Sequence, residues 1–338
     1  MLVQLLTACT SDERKSLSRT FFMFDTVVSI SIYGSDDENV MEECRTFLEG
    51  FEDIFSATRE TSELYGINHS DFVPGEDLEI GADIYNTINR SLLWCEKTDG
   101  RFDITIRPVS QLYDFGAAEF VPPLWEDIKE GLARVSYKNI NVYEENGRFF
   151  LHREMPGIML DLGAVSKGYI SDRLKEFLLG KGIKSAVVDL GGNIMCVGEK
   201  PVGNGEEEPF NIGVYDPLEN IEEDRGGSGD GTGSLVLKIS DKCVITSGIY
   251  QRSSEKDGVL YHHILDARTG LPAVGNVESV SVVCDEGIMG DILSTSLFLL
   301  AEEGIKAKLP ENAGVIYLYK DGRREFDGGL DRPLAKFK

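Results

Sequence analysis

Three short stretches of this chain gather side chains able to do chemistry. In "DILST", Asp291 and Thr295 stand four residues apart, so on a helix they share one face. A carboxylate and a hydroxyl at a helix start suit a hard divalent cation such as Mg²⁺, with further oxygens from backbone and ligand. The same pair also reads as an N-cap aspartate followed by an ordinary threonine. In "DLGAVSKGYI" (161–170), Lys167 lies among small residues ahead of a helix-like run. Small residues let a backbone come close to a ligand, and the lysine then pairs a phosphate; the alternative is a strand-to-helix turn with a solvated lysine. The GxxxxGK[ST] order of a Walker loop is absent. In "YHHILDARTG" (261–270), His262 and His263 are adjacent in a strand-like segment. They therefore face opposite sides, and at most one points into a given site. A histidine suits general-base work on a hydroxyl. "DARTG" is a turn by composition, with Asp266 able to accept backbone N–H groups. A fourth stretch, "VVDLGGNI" (187–194), runs a buried strand into Gly191 and Gly192, where a backbone nears a ligand or forms a bulge.

The totals bound what such residues can serve. With 338 residues, 41% of them hydrophobic, the chain can bury a sizeable core. A net charge of -24 opposes nonspecific binding to nucleic acid. An anionic small ligand then needs a local device: a cation, a lysine, or backbone N–H groups at a helix start. The six cysteines form no CxxC pair, which disfavours a zinc site; no structural disulfide is expected. The opening "MLVQLLTACT" ends in Leu6-Thr7-Ala8-Cys9. That pattern resembles a bacterial lipobox, in which the cysteine is lipidated and becomes the mature N-terminus, although a charged n-region and most of an h-region are missing.

The elements that must position these residues follow from periodicity. "TFFMFDTVVSISIYG" (20–34) reads as a strand. Val40, Cys44, Phe47, Phe51 and Ile54 recur at helical spacing. "ATRETSELYGIN" reads as a polar loop, and 83–97 as a second amphipathic helix. "GRFDITIRPVSQLYDFG" (100–116) carries charge and aromatics and reads as a loop or short helix at a site. Strands are expected over "NINVYE", "RFFLH", 184–198, "FNIGVYDP", 235–239, 243–246, 259–265, 277–284 and "GVIYLYK", with a helix starting near Asp291. The acidic, glycine-rich 219–234 reads as a mobile surface loop. Irregular alternation of strands and helices, with no repeat and no linker, predicts an α+β fold in one compact unit.

Taken in order, these segments resemble the ApbE family, the bacterial FAD:protein FMN transferases. The resemblance covers about residues 20–320 and rests on several spaced motifs: "FFMFDTVVSISIYG", "SELYGIN", "GRFDITIRPVSQLYDFG", "DLGAVSKGY", "VVDLGGNI", "TSGIYQR", "HHILDARTG" and "DILSTSLF". It implies a single compact ApbE-like (T-fold-related) α+β domain over 20–338, with mixed or antiparallel sheets flanked by helices. Residues 1–19 would be a signal remnant and tether, anchored through Cys9 on the extracytoplasmic side of the bacterial membrane. The implied reaction moves the FMN half of FAD onto a threonine or serine of an exported or membrane-bound flavoprotein subunit, and AMP leaves.

The resemblance also implies roles for residues. Asp291, Thr295 and a backbone carbonyl around Ser166 would hold Mg²⁺. Lys167 would sit near the pyrophosphate, and His263 would be the base. Asp103, Thr105 and Met23 would line the flavin or adenosine pocket, and Arg252 and Asp266 would support the site. There are departures: Ala164, Ser166, Arg107, Ile249 and Gly290 stand where many members carry Gly, Ala, Gly, Asp and Ala. Gly290 is expected to be neutral. Two other activities remain open, an Mg²⁺-dependent FAD diphosphatase and a non-catalytic flavin-binding lipoprotein.

Overall fold

The computed structural model describes residues 16–215, 234–301 and 309–328. Among them, the main sheet has eight strands: β1 (Ser16–Met23), β2 (Thr26–Tyr33), β3 (Ala186–Leu190), β4 (Asn193–Val197), β5 (Cys243–Gly248), β6 (Val277–Cys284), β7 (Gly314–Tyr319) and β8 (Arg324–Gly328). Their order in the sheet is their order in the chain, and each neighbouring pair is antiparallel. Everything else is inserted between consecutive strands of this meander.

Seven helices are described: α1 (Glu38–Phe55), α2 (Glu63–His69), α3 (Ala82–Lys97), α4 (Arg107–Ser110), α5 (Trp125–Leu132), α6 (Ser166–Gly180) and α7 (Gly287–Ala301). α1 buries Val40, Met41, Cys44, Leu48, Phe51 and Phe55, a stripe set by their three- and four-residue spacing. α7 has no such stripe. It is buried on nearly every side, as a helix must be when it packs between a sheet and other helices. The opposite face of the sheet is covered by a hairpin of Phe210–Tyr215 and Ser234–Ile239. Its Phe210, Ile212 and Val214 pack with Val244, Val283 and Ile316 of the sheet. Covered on both faces, β6 and β7 are buried along almost their whole length.

Several expectations are revised. The stretch 20–34 is two strands, because Phe24 and Asp25 take left-handed φ values of 54° and 55° and turn the chain back. β1 begins at Ser16, four residues ahead of the strand expected from residue 20. The polar stretch after α1 contains α2, capped by the Ser62 hydroxyl accepting from the Tyr65 N–H. The segment 259–265 splits: Val259–His262 pairs with Ser253–Lys256, and Leu265–Asp266 with Leu271–Pro272. α7 starts at Gly287, which puts Asp291 inside the helix and not at its cap. Cys9 lies outside the described residues, as does the acidic loop except for Ser234. The five described cysteines are buried free thiols; Cys243 and Cys284 face each other across β5 and β6 with sulfurs 3.4 Å apart.

The contact that matters most for the site is between α6 and α7. A Cβ added at Gly168 would overlap the Gly287 carbonyl, and one at Gly287 would overlap the Gly168 carbonyl. The two helix starts therefore touch backbone to backbone. We expect Gly168→Ala to lower unfolding free energy by about 1–3 kcal/mol, the usual cost of forcing atoms into a packed contact. Gly180→Ala, at the open end of the same helix with no atom within 4 Å of the new methyl, should be neutral or stabilising by about 0.4–1 kcal/mol. Urea titrations of both variants compare the two; equal effects would rule out the close crossing.

Candidate active site

The site forms where α6 and α7 begin. The first-turn N–H groups of a helix have no partner inside it. One of these in α6, the Gly168 N–H, donates to Asp291 Oδ2 at 2.6 Å. Asn193, which opens β4 just after Gly191 and Gly192, donates its amide to Asp291 Oδ1 at 2.7 Å. Three separate sequence stretches thus converge on one carboxylate. One turn along α7, Thr295 Oγ1 lies 3.1 Å from Ser247 Oγ of β5, which in turn lies 2.8 Å from Ser294 Oγ. Ser166 opens α6 and donates its N–H to the Leu162 carbonyl at 2.8 Å. Lys167 Nζ reaches back to the Gly163 carbonyl at 3.3 Å.

Burial sets the electrostatics. It pushes the Asp291 carboxyl up to about 6, against the Lys167 ammonium and the two hydrogen bonds that pull it down. His263 moves the other way. Burial brings its imidazole down to about 4, and the positive charges of Lys167 and Arg252 add to the effect. Its main-chain N–H and its Nδ1 both lie near the Arg252 carbonyl, at 3.1 and 3.2 Å. A carbonyl only accepts, so Nδ1 carries the proton and Nε2 keeps the lone pair. The neighbouring His262 is turned into the core, edge-on to Phe298, with Nε2 donating to the Ala273 carbonyl at 3.0 Å. The adjacent histidines do part to opposite sides, and His263 is the one that shares the field of Lys167 with Asp291.

The remaining candidates frame the site. Asp103 accepts from the Thr105 N–H and hydroxyl at 2.8 and 2.7 Å and from the Tyr137 N–H at 2.7 Å. Both residues are buried, so here they close a turn ahead of α4. Met23 is buried in the main core at the end of β1. Arg252 is exposed and serves His263 through its backbone carbonyl. Asp266 accepts from the Arg268 N–H at 2.9 Å and lies 3.9 Å from buried Arg101, which fixes the "DARTG" turn. Arg107 lies 3.9 Å from Asp161, whose carboxylate also accepts from Ser110 at 2.5 Å and from the Gly163 N–H at 3.0 Å. The 100–116 segment is thereby tied to the head of the Lys167 stretch.

Among the described residues, no group of three or more His, Cys, Asp or Glu is placed to hold a metal. The available donors are the Asp291 carboxylate, the Thr295 hydroxyl and carbonyls. All are hard oxygens, and a single carboxylate completed by water and phosphate oxygens is the usual Mg²⁺ arrangement. A buried carboxylate whose pKa is raised fits that cation, since a positive charge in contact would relieve the cost of its burial.

The profile of the ApbE family matches residues 24–318. The chain belongs to the ApbE family. A FAD:protein FMN transferase of Treponema pallidum is 29% identical over 332 residues, spanning 94% of this chain and 88% of that protein. One from Klebsiella pneumoniae is 28% identical and spans 91% of each. The solved ApbE protein of Thermotoga maritima superposes with a TM-score of 0.76 at 29% identity, over 92% of this chain and 96% of its own. The flavin transferase ApbE of Vibrio cholerae gives 0.74 at 23% identity, over 93% and 96%. The antiparallel α+β architecture of this chain is thus the ApbE fold.

Asn193 and Ser247 escaped the sequence reading. Both sit within motifs that carried the family resemblance, "VVDLGGNI" and "TSGIYQR", but an amide or a serine beside glycine looks like turn chemistry. The raised Asp291 pKa makes a prediction for the metal-free protein. A carboxyl whose folded pKa exceeds its usual 3.8 stabilises below that value, and the stabilisation is lost as pH rises through about 6. His263 acts oppositely between about 4 and 6.5, adding stability as pH rises. The raw curve mixes the two, so the comparison is with Asp291→Asn. In chelator, wild type should lose stability relative to this variant from pH 4 to 7; parallel denaturation midpoints would refute the raised carboxyl.

Proposed function

We propose that this chain transfers the FMN half of FAD to a threonine or serine hydroxyl of a target protein, releasing AMP, with Mg²⁺ bound at Asp291 and Thr295. The observation that carries this reading is that the Gly168 N–H, next in the chain to Lys167, and the Asn193 amide converge on Asp291, while His263 Nδ1 is held by the Arg252 carbonyl. The acceptor oxygen attacks the FMN phosphorus, and the bond from that phosphorus to the bridging oxygen of the pyrophosphate breaks. The hydroxyl proton passes to His263 Nε2, left free because Nδ1 is held by the Arg252 carbonyl. Lys167 offsets charge on the phosphates as AMP departs. When bound, Mg²⁺ would supply Lewis-acid neutralisation of the pyrophosphate. The acidity of the whole chain does not oppose binding of an anionic dinucleotide, because positive potential is supplied locally.

The target is read as an exported or membrane-bound flavoprotein subunit. The "LTAC" stretch supports lipidation at Cys9 and an extracytoplasmic location on the membrane. Among the described residues no helix is long and apolar enough to cross a membrane, so membrane attachment in this reading rests on the lipid.

The test combines the protein, FAD and Mg²⁺ with and without an acceptor domain bearing a threonine, following AMP and the acceptor's intact mass. The expected result is an FMN mass gain on the acceptor, with AMP formed only when the acceptor is present. AMP and free FMN without acceptor would replace transfer by hydrolysis; bound FAD with neither product would leave a binding protein. Asp291→Ala, or chelation of divalent cations, should abolish transfer. His263→Ala should slow it about 10²–10⁴-fold, the usual worth of a positioned base, while FAD binding measured by flavin fluorescence persists. Full activity of His263→Ala would remove the base assignment.

A further inference from the structure

α6 and α7 cap each other. Asp291, in the second turn of α7, accepts the Gly168 N–H from the first turn of α6. Asp172, in the second turn of α6, accepts the Gly287 and Ile288 N–H groups from the first turn of α7, at 2.6 and 2.9 Å. Each carboxylate therefore satisfies first-turn donors of the other helix, across the crossing where Gly168 and Gly287 touch. α6 has no side-chain cap from its preceding residue, Val165, and Glu286, the residue before Gly287, pairs with Arg90.

We propose that Asp172 is a positioning residue for the reaction: by holding the start of α7 against α6, it fixes where the Asp291 carboxylate sits. This rests on the functional reading above for its catalytic consequence, but not for its structural one. The reasoning is geometric. Asp291 is only four residues beyond Gly287 on a rigid helix, so a shift of the α7 start carries the carboxylate with it. A charge-assisted pair of bonds at 2.6 and 2.9 Å sets that start more firmly than neutral bonds would. Displacement of a reacting group by about 1 Å can cost 10²-fold in rate. Asp172 reaches the chemistry through the α7 backbone and, as a smaller effect, through its own charge, which acts on the Asp291 carboxyl; its positional signature is a change at the Gly168 N–H, which its side chain does not bond.

Amide hydrogen exchange on the full chain reads that coupling. Asp172→Ala should speed exchange at Gly287 and Ile288, which it caps. It should also speed exchange at the Gly168 N–H, which the Asp172 side chain does not bond, because Asp291 leaves that N–H. A cap with only local effect would leave Gly168 unchanged, and that outcome overturns the proposal whatever the enzyme's activity. The kinetic arm uses FMN transfer: kcat should fall at least about tenfold with KM for FAD within about threefold. Asp172→Asn, which keeps one accepting oxygen, should recover part of both effects. Leu48→Ala, a core truncation in α1, provides a destabilised control; if it lowers kcat as much as Asp172→Ala at a matched loss of melting temperature, Asp172 is structural only. If wild type shows no transfer, the functional reading fails, while the exchange at Gly168 still decides the coupling.

Discussion

A carboxylate buried inside a helix has to be held by N–H groups, by a cation, or by both. Asp291 is in that position, and much of the fold is arranged around satisfying it. One N–H comes from the first turn of α6, available because a helix start leaves its donors free. One amide comes from Asn193, delivered by the turn between β3 and β4. The α6–α7 crossing must be close enough for the Gly168 N–H to reach across, and side-chain-free residues at 168 and 287 permit it. The eight-stranded meander supplies the flat surface on which α7 lies, while the hairpin on the far face completes the burial of that sheet. Burial makes the carboxylate expensive to ionise, and that expense makes the site receptive to a cation.

His263, only partly buried, feels the same desolvation with the opposite result. A low-dielectric surrounding penalises charge of either sign, so it raises the acid and lowers the base. Lys167 pushes both towards the deprotonated form: its ammonium opposes burial at Asp291 and adds to it at His263. Near neutral pH, Asp291 is thus largely ionised and His263 is a free base. A single lysine among small residues thus acts on both groups, while burial remains the larger cause at each. In a protein of net charge -24, such local control is what allows an anionic phosphate and a neutral base to coexist.

What could be read in the sequence depended on range. The face shared by Asp291 and Thr295 follows from helical period alone, wherever the helix starts, so misplacing the start of α7 near Asp291 did no harm to that pairing. The divergence of His262 and His263 was expected from strand period, but His263 lies in the bend just past the strand that ends at His262. Contacts across the fold were not legible. Asp172 looks like any polar residue within a helix, and its partners are backbone groups 115 and 116 residues away. Asp103 and Thr105 were legible as a polar pair, but nothing local says that they bond to each other and to the Tyr137 N–H. The hairpin turn at Phe24 and Asp25 was hidden because a phenylalanine with positive φ runs against its residue preference.

The departures from the family pattern make the same point from the packing side. Gly290 looked like a neutral exchange for alanine. In the structure a Cβ there would meet Ile245 Cδ1 at 2.7 Å and Cys284 Sγ at 3.3 Å. The space that an alanine methyl would take is thus largely filled from β5, and the glycine and the isoleucine have to be read together. Alanine there would require the tip of Ile245, which lies two residues before Ser247, to shift. Arg107 behaves similarly: where many members carry glycine, its guanidinium approaches Asp161 at the head of the Lys167 stretch. At both positions the neighbours from other strands and loops meet the residue present: Ile245 beside Gly290 and Asp161 beside Arg107. Positions that face a backbone group, as Gly168 faces the Gly287 carbonyl, have no neighbour that can yield, and there the sequence has no such freedom.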